Sequence, residues 1–209
     1  MKHPDHIIPE NIKGVQTDTI STESFDTSEE ARIHFQTVRK RLLTISNWHE
    51  FAGTGTAKFR LTDSSGNTKT NAVEEGDFFK IDIPAPGTES GEGYDWVQVE
   101  KIEEDSHPTE DWEYTLIRVR PASDPRVKDD STAHFFSDDA NSYFLAKRIG
   151  TEVSAAVHGR NEQPNTDTNS TLDKIRNVIV AIGAMLGMSK VQWKSLVDGL
   201  VKFEIKTDH

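Results

Sequence analysis

The sequence predicts an α+β fold in which a bent antiparallel sheet of about six to eight strands wraps around a long C-terminal helix, with two short helices after the first strand. Three observations carry that expectation. Apolar residues alternate at period two from residue 57 to about 160, the pattern of antiparallel strands with one covered face. One stretch before this region and one after it read at period 3.6 instead. The helical segments are therefore segregated from the strands, which points to helices packed on a sheet and away from repeated βαβ units.

Taken in order, residues 1–13 hold two prolines and scattered apolar groups and are expected to form a mobile tail, with one domain running from 14 to 204. VQTDTISTESF, Val15 to Phe25, is threonine-rich and loosely alternating, and reads as an edge strand. Thr27 and Glu30 form a capping box, after which Ala31, Phe35, Val38, Leu42 and Ile45 recur at helical spacing. Arg39, Lys40 and Arg41 lie near that helix's C-terminal end, where positive charge complements the dipole. Asn47 and Glu50 repeat the capping pattern, so NWHEFAG reads as a short second helix stopped by Gly53.

Strands follow. AKFRL places Ala57, Phe59 and Leu61 on one face; DFFKIDI does so with Phe79, Ile81 and Ile83, WVQVEKI with Val97 and Val99, and EYTLIRVRP with Thr115, Ile117 and Val119 before Pro121. AHFF, YFLAKR and TEVSAAVHGR read as three more. The last two are either a hairpin with Gly150 in the left-handed region or one long bulged strand. Ser170 and Asp173 then open a helix striped by Leu172, Ile175, Ile179, Ile182 and Leu186. Gly187 can end it, and Ser189 with Gln192 can cap VQWKSLVDGLVKF, so the C-terminal helix is expected to be kinked or split near Gly187.

Composition narrows the class of activity. The 209 residues suffice for one good-sized core, and only 34% are hydrophobic, which implies a large polar surface. With 24 Lys and Arg against 35 Asp and Glu, the net charge of −11 repels a phosphate backbone, so no nucleic-acid partner is expected. The absence of cysteine removes disulfides, thiolate nucleophiles and zinc–sulfur sites. No stretch approaches the ~18 apolar residues of a membrane span, and the expectation is a soluble, cytoplasmic protein.

With NWHEFAG after the first helix and VQWKSLVDGLVKF at the C-terminus, the chain resembles the SRPBCC or START-like helix-grip superfamily. Within it, the sequence looks nearest to the activator-of-Hsp90-ATPase-like branch or to an uncharacterised bacterial SRPBCC-like group. The likeness spans roughly residues 14–204 and rests on element order and packing motifs, with no catalytic group to carry over. It implies a deep cavity between sheet and long helix that holds an apolar or aromatic small molecule, lipid-like or polyketide-like.

The residues expected to line such a cavity are Phe79, Val97, Val99, Ile117, Phe135, Tyr143, Ile179, Ile182 and Leu186, with His134, His158 and Arg160 as polar candidates. In AAVHGRNEQPN, His158, Arg160 and Glu162 fall at every second position, opposite Val153, Ala155 and Val157. They read first as a polar strand face toward solvent, then as a rim at the cavity mouth, and last as catalytic groups; Gly159 could bulge the strand and overturn that parity. His134, with Asp138 and Asp139, has no converging metal-ligand spacing. PGTESGEGYDW is acidic, lacks lysine and precedes a strand, so it reads as a loop and not a phosphate cradle. Neither metal nor cofactor is expected. Binding leads over catalysis; the alternatives are a cyclase- or hydratase-type enzyme using His134, His158 or Tyr143, and a stress-related, co-chaperone-like interaction module.

Overall fold

The computed structural model describes residues 3–53, 57–82, 95–126, 140–162 and 190–203. Strands β1 (Val15–Ser24), β2 (Lys58–Thr62), β3 (Phe78–Asp82), β4 (Asp95–His107), β5 (Trp112–Pro121), β6 (Asn141–Ile149) and β7 (Glu152–Glu162) form one sheet. Its order is β1-β7-β6-β5-β4-β3-β2, with every neighbour antiparallel. The last strand thus returns beside the first. Helices α1 (Ser28–Leu43) and α2 (Trp48–Ala52) follow β1, and α3 covers 190–201. This is the α+β arrangement expected from the period changes. The AHFF strand, the helix expected from Ser170 to Leu186 and its break at Gly187 lie outside the described residues.

Of the two readings of residues 141–162, the hairpin is the one that forms. Ile149 pairs with Glu152 across a two-residue turn, and Gly150 at φ 58° supplies the left-handed conformation such turns need. A register shift between Val99 and Lys101 in β4 moves the apolar parity, so that Ile102 lies opposite Ile117.

The sheet is covered on both sides. Its inner face carries Phe59, Leu61, Phe79, Val99, Ile117, Val119, Phe144, Ala146, Val153, Ala155 and Val157, joined in one core with α1 and α3. α1 rests on β6 and β7, and its stripe of Ala31, Phe35, Val38 and Leu42 is buried as its spacing predicts. The outer face carries a second apolar set, Trp112, Tyr114, Leu116, Tyr143, Leu145 and Ala156. The N-terminal segment, expected as a mobile tail, lies across it: Ile7 joins this set, His3 meets the Trp112 ring edge-on at 5.9 Å, and Lys147 Nζ reaches Asp5 at 2.5 Å.

Three helix ends meet at one joint. The Thr27–Glu30 capping box closes both of its hydrogen bonds, at 3.2 and 3.3 Å. The second capping pattern does not form, since Asn47 makes no side-chain cap. The buried Trp48 explains the position of α2 instead: its indole N–H reaches the carbonyls of Arg41 and Leu42 at 3.2 and 3.1 Å, satisfying C-terminal groups of α1. The basic run is also more than a dipole complement. Arg41 donates to the carbonyls of Gly199, Leu200 and Lys202 at the end of α3, and Arg39 holds Glu104 of β4 with two bonds of 2.7 and 2.9 Å.

Gly199 is where α3 touches α2. A Cβ there would sit 1.9 Å from the Phe51 carbonyl oxygen and 2.4 Å from its carbon. Gly199→Ala should therefore lower unfolding stability by about 1–3 kcal/mol through overpacking, despite alanine's helix propensity. Denaturant unfolding measures this, and a more stable variant would contradict the close helix contact.

Candidate functional site

The inner face is the surface on which the cavity was expected. Phe79, Val99 and Ile117 are there and sealed, each at most 1% exposed. Val97, paired with Phe79 across β3 and β4, is also there but only half-buried. Phe135, Ile179, Ile182, Leu186 and His134 lie outside the described residues. Several aromatic residues fill the middle of this face. Trp48 packs on Phe144, Phe59 and Phe79 at 4.7, 5.2 and 5.8 Å between ring centroids, and α3 brings Trp193 to Phe144 and Phe59 at 5.6 and 6.0 Å. Ile81, Val97 and Trp193 remain half-buried at the edge of this cluster.

Tyr143, expected in the cavity, is not there. Phe144 lies opposite Ile117 and shares the inner face, so strand alternation turns Tyr143 outward, beside Arg118 and His158. His158 and Arg160 project from the outer face, the side that their alternation with Val153, Ala155 and Val157 predicts, and not into the cavity for which they were polar candidates. Their polarity does not mean exposure, because β1 and the N-terminal segment cover them and they are 8% and 6% exposed.

That outer cluster is tightly joined. The His158 Nδ1–H donates to the Asp18 carboxylate across the β1–β7 pair at 2.6 Å. Arg160 NH2 reaches the same carboxylate at 2.8 Å, Nε reaches the Pro9 carbonyl at 2.9 Å, and NH1 reaches the Gly159 and Thr17 carbonyls. Burial raises the Asp18 carboxyl, but hydrogen bonds from Gln16, His158 and Arg160 more than reverse this and hold it below the usual range. Burial pushes His158 below the ordinary histidine range, against the pull of Asp18.

Glu162 leaves the trio. Asn161 adopts φ 57°, a left-handed conformation that breaks the alternation one residue before Glu162. A Cβ on Gly159, which alternates with the inward Val157, would meet Glu162 Oε1 at 2.2 Å and Thr17 Oγ1 at 2.4 Å. Glu162 is therefore on the inner face, where the Thr17 hydroxyl donates to it at 3.3 Å and burial raises its carboxyl above the usual range. The left-handed turn has its own purpose: the Asn161 side-chain oxygen accepts the amides of Ile12 and Lys13, and its N–H donates to Asn11.

Trp48, Phe144, Trp193, Ile81 and Asp18 are the groups sequence reasoning did not assign to a site. Phe144 and Ile81 were reachable from alternation alone. The pairing of Asp18 with His158 joins residues 140 apart and leaves no local signal.

No family model matches the chain, and no curated protein does. Solved structures with a similar backbone include the extracellular domain of PknH from Mycobacterium tuberculosis, at TM-score 0.38 and 7% identity, covering 88% of this chain and 60% of that one. Others are Ara h 8.0201, at TM-score 0.32 and 7% identity with 87% and 99% covered, and an uncharacterized protein from Bacillus thuringiensis, at 0.34 and 12% with 88% and 100% covered. No described helix is long and apolar enough to cross a membrane.

Two outcomes follow for the outer cluster. Because folding lowers the His158 pKa, the unfolded chain takes up that proton first, and the stability linked to His158 is present above its ordinary pKa of 6.5 and lost as pH falls below it. Asp18, whose pKa is lowered, adds stability above its ordinary 3.8, while Glu162, whose pKa is raised, loses its contribution as pH rises through its folded value. His158→Gln should flatten the fall in stability between about pH 7.5 and 5.5, read by denaturant unfolding at each pH; an unchanged slope would refute the assignment. Arg160→Ala removes the clamp on Pro9, so cleavage within residues 1–13 in limited proteolysis should be about threefold faster or more, and an unchanged rate would show the tail to be held elsewhere.

Proposed function

We propose that the inner face binds an apolar small molecule, lipid-like or aromatic, between the sheet and the C-terminal helical region. The observation that carries this reading is the half-buried apolar rim of Ile81, Val97 and Trp193, continuous with the aromatic interior of the inner sheet face. Apolar surface left half-covered beside stacked aromatics gains free energy by taking up an apolar ligand, at roughly 25 cal/mol per Å² removed from water.

Binding is favoured over a cyclase- or hydratase-type reaction because Tyr143 and His158, two of the three groups expected to transfer protons, belong to the outer face. A base must lie within hydrogen-bond reach of the proton it moves, and the sheet itself separates these residues from the apolar rim. The likeness of NWHEFAG and VQWKSLVDGLVKF to helix-grip proteins points the same way.

Native mass spectrometry of protein purified without denaturation should show an adduct that organic extraction removes. Anilinonaphthalene sulfonate should then bind the extracted protein saturably, and Trp193→Ala should weaken that binding by about tenfold, corresponding to loss of one large aromatic contact. Absence of both an adduct and saturable probe binding would overturn the proposal.

A further inference from the structure

A separate groove of about 400 Å³ opens between the end of β1, the N-terminal half of α1 and the residues after α3. None of the inner-face rim residues lines it. Its floor is aromatic: the rings of Phe25, His34 and Phe203 meet pairwise at 5.0, 5.3 and 5.4 Å, and Phe203 is 52% exposed beside the exposed Ile33. Its rim is acidic, formed by Glu23 and Asp26, and among the described residues no lysine or arginine lines it. Among the described residues neither carboxylate has an ion pair or hydrogen-bond partner. A third carboxylate in the groove, Glu30, is engaged with the Thr27 amide, and that capping box occupies the α1 N-terminus that would otherwise attract an anion.

His34 adds a hydrogen-bond acceptor to the groove. Its residue is 5% exposed and its Nε2 lies 2.7 Å from the Val201 carbonyl oxygen. A carbonyl only accepts, so Nε2 carries the hydrogen and Nδ1 presents a lone pair. That lone pair has no hydrogen-bond partner among the described residues, and Nδ1 is not one of their sealed unpaired polar atoms, so it is open to a donor. The groove therefore combines an open aromatic surface, unneutralised negative charge and one accessible acceptor.

We propose that this groove binds a small protonated amine, an ammonium group bearing N–H hydrogens on a short apolar stem. The stem covers Ile33 and Phe203, the positive charge lies between the ring faces and the Glu23 and Asp26 carboxylates, and an ammonium N–H donates to His34 Nδ1. A neutral ligand of the same shape leaves the carboxylates uncompensated. A quaternary ammonium has no hydrogen to give the histidine.

NMR titration of the full chain with n-butylammonium, n-butanol and tetramethylammonium, at equal ionic strength, tests this. Butylammonium should shift the Phe25, His34 and Phe203 amides and the His34 ring nitrogen signals saturably, with the other two probes about tenfold weaker or more, the factor expected for losing one charge-assisted contact. Glu23→Gln and Asp26→Asn, both near the surface and compatible with folding, should each weaken butylammonium about threefold to tenfold and leave the remaining spectrum unchanged. Equal binding of butanol would show an apolar groove without charge selection, and equal binding of tetramethylammonium would remove the His34 contact. Either result, the absence of saturable shifts, or unchanged affinity in both variants overturns the proposal. The outcome is independent of whether the inner face takes an apolar ligand.

Discussion

The structure depends on one constraint: β5, β6 and β7 pair in register while both of their faces are buried. Direct neighbours such as Ile117, Phe144 and Val157 look inward, and Leu116, Leu145 and Ala156 look outward. A slip of one residue in any of these strands would exchange the two sets and leave aromatic residues under a helix that needs alanine. The small inner side chains of Ala146 and Ala155 lie where α1 rests on β6 and β7, and the larger Phe144 meets Trp48 further along the strand. The same register compels a cover on the outer face. Tyr114, Leu116 and Leu145 would otherwise expose a large apolar patch, and the segment around Ile7 and Ile8 supplies that cover.

Charge serves this architecture more than it serves chemistry. Arg41 satisfies carbonyls at the end of α3, Arg39 ties α1 to Glu104, and Arg160 joins β7 to Asp18 and to the Pro9 carbonyl. Each guanidinium bridges elements that are distant in the chain, using planar donor geometry that a lysine could not reproduce. His158 belongs to the same structural network. Its Nδ1–H donates to Asp18, and burial beside Arg160 holds its pKa below the ordinary histidine range.

The two faces of the sheet differ in chemistry. The inner face offers aromatic and aliphatic contact with little polarity, and the outer face holds the titratable cluster under the N-terminal segment. The acidic groove beside α1 is a third surface, assembled from the end of β1, α1 and Phe203, whose chemistry is opposite to that of the inner face: open, negatively charged and provided with an acceptor. A net charge of −11 makes acidic surface common in this chain, so the distinguishing feature of the groove is its aromatic floor beside an accessible His34 acceptor, not its carboxylates alone.

Sequence periodicity by itself determined the fold class, the α1 stripe from Ala31 to Leu42 and the Thr27–Glu30 capping box, because each depends on residues within a turn or two of one another. It also placed Phe79, Val99 and Ile117 on the inner face correctly, since strand alternation is a local rule. Tyr143 was misplaced by neglecting that alternation against Phe144. Glu162 was misplaced because Asn161 adopts a left-handed conformation held by Asn11, Ile12 and Lys13, about 150 residues away. Tertiary structure alone decided that His158 is buried, that Trp48 caps α1 and that the first residues seal the outer face. Those outcomes depend on which distant groups each side chain meets, and hydrogen-bond satisfaction across a sheet leaves no period in the chain.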